Sequence, residues 1–217
     1  MKSRILLPSL LPLLFLVFPS TAEDRITELP DDIPYSDENT GVVFPPSLGK
    51  FRKAEIRISS NPVLGTRIHY AGSRIACSAD VYIYALSEKP RPITPEEFQI
   101  HYEKTRQAIL NLHTMTRRVE EAESAGKMRY SGRRNRNPAL REIFFLRTDG
   151  EETYHSELLL ILSGDRVTKL RLTVPASQKE AIEEAKRFTA EFCKLFYRGK
   201  TPEWKTVAPG KTQGKTK

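Results

Sequence analysis

From residue 51 onward, apolar and polar positions alternate in short bursts, the period-two signature of half-buried strands. Phe51 to Ile58 sets Ala54, Ile56 and Ile58 against Lys53, Glu55 and Arg57. Gly65 to Tyr70 follows, with Ile68 and Tyr70 on one side. Cys77 to Leu86 sets Cys77, Ala79, Val81, Ile83 and Ala85 against Asp80, Tyr82, Tyr84 and Leu86. The spacers, Ser59-Ser60-Asn61-Pro62 and Ala71-Gly72-Ser73, are short, which predicts antiparallel neighbours.

The period then lengthens. Thr94 is placed as a helix N-cap, Pro95 suits the first helical position, and Glu97 completes a capping box. Phe98, Tyr102, Ile109, Leu112 and Val119 recur at helical spacing and predict a helix reaching Glu123 and stopping at Gly126. Between Gly126 and Pro138 the chain is basic and turn-rich, with a short strand at Met128 to Tyr130. Three further strands are predicted at Leu140 to Arg147, Glu152 to Leu162 and Arg166 to Val174, joined at Asp149-Gly150 and Ser163-Gly164-Asp165. In the last of them Val167, Lys169, Arg171 and Thr173 share one face, with Thr168, Leu170, Leu172 and Val174 opposite. A closing helix carries the stripe Ile182, Ala185, Phe188, Thr189, Phe192, Leu195 and Phe196 before Gly199 and Pro202 end it. Runs of strands separated by single helices predict an α+β domain. Its largely antiparallel sheet has about six to seven strands, with two main helices packed on it.

The length of 217 residues and the 39% apolar content suit one domain with appended ends. Residues 1–22 have the order of a secretory signal peptide: Lys2 and Arg4, an apolar run from Ile5 to Phe18, then Ser20-Thr21-Ala22 at a cleavage position. Export to a periplasm or the extracellular space is therefore expected, with cleavage after Ala22. No later run is long and apolar enough to span a bilayer. Residues 23–47 form an acidic, proline-rich leader, seven acids against Arg25, read as extended and mobile. The domain proper is 48–197. Residues 198–217 are a basic, disordered tail in which Trp204 stands out.

The formal net charge is +8. A basic chain raises nucleic acid as a partner. The export signal and the lack of any helix-turn-helix, zinc-finger or RNP-type motif argue against it. Anionic surfaces, either lipid headgroups or acidic envelope polymers, fit the compartment better.

Three stretches resemble the PsbP-like group of small exported α+β domains and uncharacterised bacterial secreted proteins of similar build. They are Phe44 to Phe51, Ala79 to Tyr84, and Val167 to Pro175 with the helix after it. The resemblance implies an antiparallel sheet with helices on it and a role in binding or assembly. It carries over no catalytic residue.

Candidate chemistry is sparse. Four scattered histidines, His69, His101, His113 and His155, make no pair at ligand spacing, so no metal or cofactor is expected. There is no Gly-x-Ser-x-Gly elbow and no glycine-rich phosphate loop. Cys77 and Cys193 would face one another if the closing helix covers the third strand. In an oxidising compartment they then either bridge or remain buried thiols. Arg129, Arg133, Arg134, Arg136 and Arg141 form the densest basic cluster and suit bidentate anion contacts, or plain solvation. Lys169 and Arg171 add to a basic sheet face if no helix covers it, and Tyr82 and Tyr84 offer aromatic neighbours on another exposed face. The function expected is an exported, non-enzymatic binding or assembly domain for an envelope protein or anionic envelope component. Its contacts are the Arg129 to Arg141 loop, Tyr82, Tyr84 and the tail around Trp204. The alternative is a hydrolase-like envelope enzyme using His155 or a cleft carboxylate such as Asp80.

Overall fold

The computed structural model describes residues 32–72, 77–115, 119–130, 137–150 and 152–207. The proposed signal peptide and Arg133, Arg134 and Arg136 lie outside the described residues. The strands are β1 (Tyr35–Asp37), β2 (Val42–Phe44), β3 (Ser47–Leu48), β4 (Phe51–Ile58), β5 (Thr66–Gly72), β6 (Ser78–Tyr84), β7 (Val119–Tyr130), β8 (Ala139–Thr148), β9 (Thr153–Ser163), β10 (Arg166–Pro175) and β11 (Lys205–Thr206). The helices are α1 (Pro95–Leu110), the single turn α2 (Leu112–Met115) and α3 (Lys179–Phe196). Among the described residues, nine strands make one antiparallel sheet in the order β11-β7-β8-β9-β10-β6-β5-β4-β3, and β1 and β2 pair separately. The α+β class with two main helices stands. The sheet is larger than the six to seven strands expected from the alternation.

Each helix covers one face. α3 buries Ala181, Ala185, Phe188, Phe192, Cys193 and Phe196 against Ile68, Ala79, Val81, Leu170 and Leu172. α1 buries Phe98, Tyr102 and Ile109 against Leu140, Phe144, Leu158 and Leu160 on the opposite face. The two clusters are the direct product of strand alternation: β10 sends Leu170, Leu172 and Val174 to the α3 side and Val167 to the α1 side. The capping box at Thr94 and Glu97 forms as predicted, and fixes where α1 begins.

Four expectations are corrected. α1 ends at Leu110, and Val119 to Glu123 is strand, not helix. These residues pair with β8 in a long hairpin, and that pairing overrides the helix propensity of Glu120-Glu121-Ala122. In β4 a bulge between Lys53 and Glu55 resets the phase, so Lys53 is buried and Ala54 exposed. The leader is not mobile throughout. Its stretch Tyr35 to Ser47 folds onto the domain, Asp37 closes the β1–β2 turn by accepting from the Thr40 amide and hydroxyl (both 2.8 Å), and Phe44 packs on Phe192 and Phe196. The start of the tail is also ordered, since Lys205–Thr206 pairs with Met128–Arg129.

Candidate functional site

β5, β6 and β10 lie side by side, and their apolar faces are consumed by the α3 core. Their other faces are polar. The register puts Lys169 opposite Tyr82 and Arg171 opposite Asp80. It also puts Arg67 opposite Tyr82 and His69 opposite Asp80. One strand alternation therefore assembles Arg67, His69, Asp80, Tyr82, Lys169 and Arg171 into a block beside the part of the sheet that α1 covers.

Asp80 is 2% exposed, and its Oδ1 accepts from Arg67 Nη2 (2.7 Å) and Nε (3.0 Å) and lies 3.0 Å from His69 Nδ1. Burial opposes its ionisation, but the His69 hydrogen bond and the Arg67 charge outweigh burial and hold the carboxyl below its ordinary range. Lys169 has its ammonium 4.3 Å from the ring centre of Tyr82 and 5.7 Å from that of Tyr84. Desolvation, with repulsion from Arg171, brings Lys169 down to about 8. The Tyr84 hydroxyl is 2.7 Å from His101 Nε2 on α1, and burial with the nearby Lys169 and Lys104 charges depresses His101 to about 4.

Arg171 is the anomaly. It is 7% exposed, and its Nη2 donates to Ser156 Oγ at 3.0 Å. Among the described residues its Nε and Nη1 have no hydrogen-bond partner. Burial lowers even this guanidinium, to about 10. Buried charged donors are nearly always satisfied, and leaving them empty costs several kcal/mol.

The other candidates are scattered. Arg141 lies on the α3 side, where its Nε and Nη2 grip both carboxylate oxygens of buried Glu157 (2.7 and 3.0 Å), so its fork is spent inside the protein. Arg129 reaches Gln99 Oε1 at 3.4 Å. Trp204 docks, edge-on to Tyr130 and with the Arg141 guanidinium 5.7 Å from its ring centre. Cys77 and Cys193 are free buried thiols of one core cluster, not a bridge. Burial pushes them up to about 11 and about 12. His155 packs edge-on to Phe145, and Glu157, two residues along, is held by Arg141. Buried Glu142 receives Tyr102, Arg106 and Ser124 and is fully engaged as a tie between α1, β7 and β8. Among the described residues no three His, Cys, Asp or Glu side chains are grouped to hold a metal. No helix among them is long and apolar enough to cross a membrane.

Sequence reasoning found Tyr82, Tyr84, Lys169 and Arg171 but missed Arg67 and the Ser156 and His101 contacts. The phase of β5, with Arg67 and His69 opposite buried Ile68, carried the first signal. The other two depend on tertiary packing alone.

Two solved structures of similar fold frame this arrangement. The solution structure of a cyanobacterial PsbP from Synechocystis is similar over 73% of this chain and 89% of its own, with 10% identity and a TM-score of 0.49. The Saccharomyces cerevisiae Ran-binding protein Mog1p is similar over 81% of this chain and 90% of its own, with 16% identity and a TM-score of 0.37. The PsbP-like group, which the strand motifs resemble, is thus represented among the similar folds. No protein-family model matches the chain, and no curated protein matches its sequence.

Proposed function

We propose that this protein is an exported, non-enzymatic binding domain that recognises an anionic envelope component through the polar face of β5, β6 and β10. The carrying observation is Arg171, a buried guanidinium with two unclaimed nitrogens. Beside it Arg67 and Lys169 share the face with the buried carboxylate Asp80, already engaged by Arg67 and His69, and with Glu55 of β4, whose carboxylate lies 3.8 Å from Arg67. A positive face with aromatic rings beside it attracts anions and orients them. Export rests on the residue order at the N-terminus.

The test is capture of components from the envelope fraction of the source cell at low and moderate salt. It uses the wild type, Lys169→Met, and the Arg133/Arg134/Arg136-to-Ala variant. A salt-sensitive component lost only from Lys169→Met supports this face. One lost only from the triple variant moves the site to the arginine loop. Capture of nothing by the wild type removes the binding reading.

A second reading is favoured by one contact. The Asp80–His69 pair at 3.0 Å is the arrangement that holds an imidazole as a general base. It replaces His155 in the enzymatic alternative, because Glu157, the carboxylate that acts on His155, is engaged by Arg141. An ester or phosphoester turnover that His69→Gln abolishes, without loss of fold, would establish it.

A further inference from the structure

We propose that Lys169 and Arg171 together bind one phosphate-type oxyanion, either free phosphate or a phosphate group carried on an envelope lipid. The proposal rests on the binding-domain reading and names its ligand chemistry. Three observations carry it.

The first is the orphaned donors. Arg171 Nε and Nη1 are buried without acceptors, while Nη2 is anchored to Ser156. The anchor holds the guanidinium still, which prepares it to receive a ligand instead of seeking solvent. Orphaned buried donors in a native protein call for an unseen water or ion.

The second is charge. Lys169 meets ring faces instead of a carboxylate. The groups facing the pair are Arg67 and His69 from β5, Asp80 and the two tyrosines from β6, Ser156 from β9, and His101 and Lys104 from α1. The acids nearest the block among the described residues are Asp80, held by Arg67 and His69, and Glu55 of β4, which pairs with Arg67 and with Arg57. Glu142 and Glu157 are engaged elsewhere, Glu157 on the opposite face. Asp80 acts on Lys169 and Arg171 only at longer range, and among the described residues neither cation has a carboxylate within ion-pair distance.

The third is spacing. Lys169 and Arg171 are alternate residues of one strand, so their stems stand roughly 6.5–7 Å apart on the same face. Two long side chains so spaced converge on one tetrahedral anion. A tetrahedral phosphate, free or esterified, presents oxygens in several directions and can meet both cations at once. The two coplanar oxygens of a carboxylate suit one cation. The unclaimed Arg171 nitrogens, Nε and Nη1, lie on different edges of the guanidinium, so the anion takes one of them and a water takes the other.

The experiment is calorimetric titration of the purified protein with inorganic phosphate at pH 7, with ionic strength held constant by sodium chloride. Wild type, Lys169→Met and Arg171→Gln are compared, each checked for fold by circular dichroism. The expected result is saturable binding in the wild type, weakened about tenfold or more in Lys169→Met, the worth of one charge-assisted hydrogen bond. If Arg171→Gln fails to fold, Lys169→Met decides alone, since methionine keeps the packing stem. No saturable binding in the wild type, or equal binding in Lys169→Met, overturns the proposal and assigns a buried water to Arg171.

Vesicles of phosphatidylglycerol and of phosphatidylcholine separate the sources. Binding to the first that phosphate competes away points to a lipid phosphate, and phosphate binding without vesicle binding points to the free ion. If phosphate fails but envelope capture still depends on Lys169, this inference falls and the binding-domain reading stands. If the wild type captures nothing either, both fall.

Discussion

Lys169 places its ammonium 4.3 Å from the ring centre of Tyr82, the residue directly opposite it on β6. The ring face attracts the cation, by about 2 kcal/mol where water is excluded. That attraction does not match the hydration Lys169 gives up, which is why its pKa falls to about 8.

A pH dependence follows. A lysine whose folded value lies below its unfolded one binds fewer protons in the native state between the two. Its penalty is therefore complete below about pH 8, and it is relieved as pH rises towards the ordinary value of 10.5. Tyrosines and thiols with raised values destabilise the fold over the upper part of this range, so the difference between wild type and Lys169→Met is the quantity to read. In phosphate-free buffer, urea unfolding from pH 7 to 10 will show the wild type gaining on the variant, by at most about 3 kcal/mol. A flat difference would mean that Lys169 remains hydrated.

Arg141 and Glu157 form a bidentate pair in which the carboxylate is 1% exposed. Arg141→Met strands that carboxylate and is expected to cost about 3–5 kcal/mol. Arg141→Met with Glu157→Gln, which removes both charges, will recover part of the loss. Additive losses in the double-mutant cycle would show that the two side chains do not depend on each other.

Gly65 precedes β5 at φ +61°, and a Cβ there would stand 1.9 Å from the Ile83 carbonyl oxygen of β6. Both the left-handed backbone and the close approach exclude a side chain. Gly65→Ala is expected to lower stability by more than about 2 kcal/mol in chemical denaturation. Gly164→Ala, also at positive φ but with nothing within 4 Å of its Cβ, will cost less. Equal costs would mean that backbone conformation alone sets the penalty.

The central fold was legible because alternation and turn chemistry are local. β10 reads correctly in sequence, down to Lys169 and Arg171 sharing a face. β4 does not, because the bulge at Ala54 shifts its phase by one residue and nothing in the residue types announces it. The end of α1 was misplaced for the opposite reason: Val119 to Glu123 suits a helix locally and is claimed by β8 at long range. The site divides along the same line. Tyr82 and Lys169 could be found from single strands, whereas the loss of Arg141 to Glu157 depends on a strand register that no local pattern reports.

β7 is twelve residues long, yet the tail at Lys205 to Val207 covers its outer side only from Lys127 to Arg129. Along the remainder stand Glu120, Glu121 and Glu123, with register breaks between Val119 and Glu121 and between Ser124 and Gly126. A second copy approaching β7 in antiparallel register would set like charges together across an irregular backbone. The sheet thus resists growth by self-association at its β7 margin. On the β7 side part of that protection is supplied by the chain's own tail, so trimming after Gly199 would bare the backbone groups of Lys127 to Arg129 as a free edge.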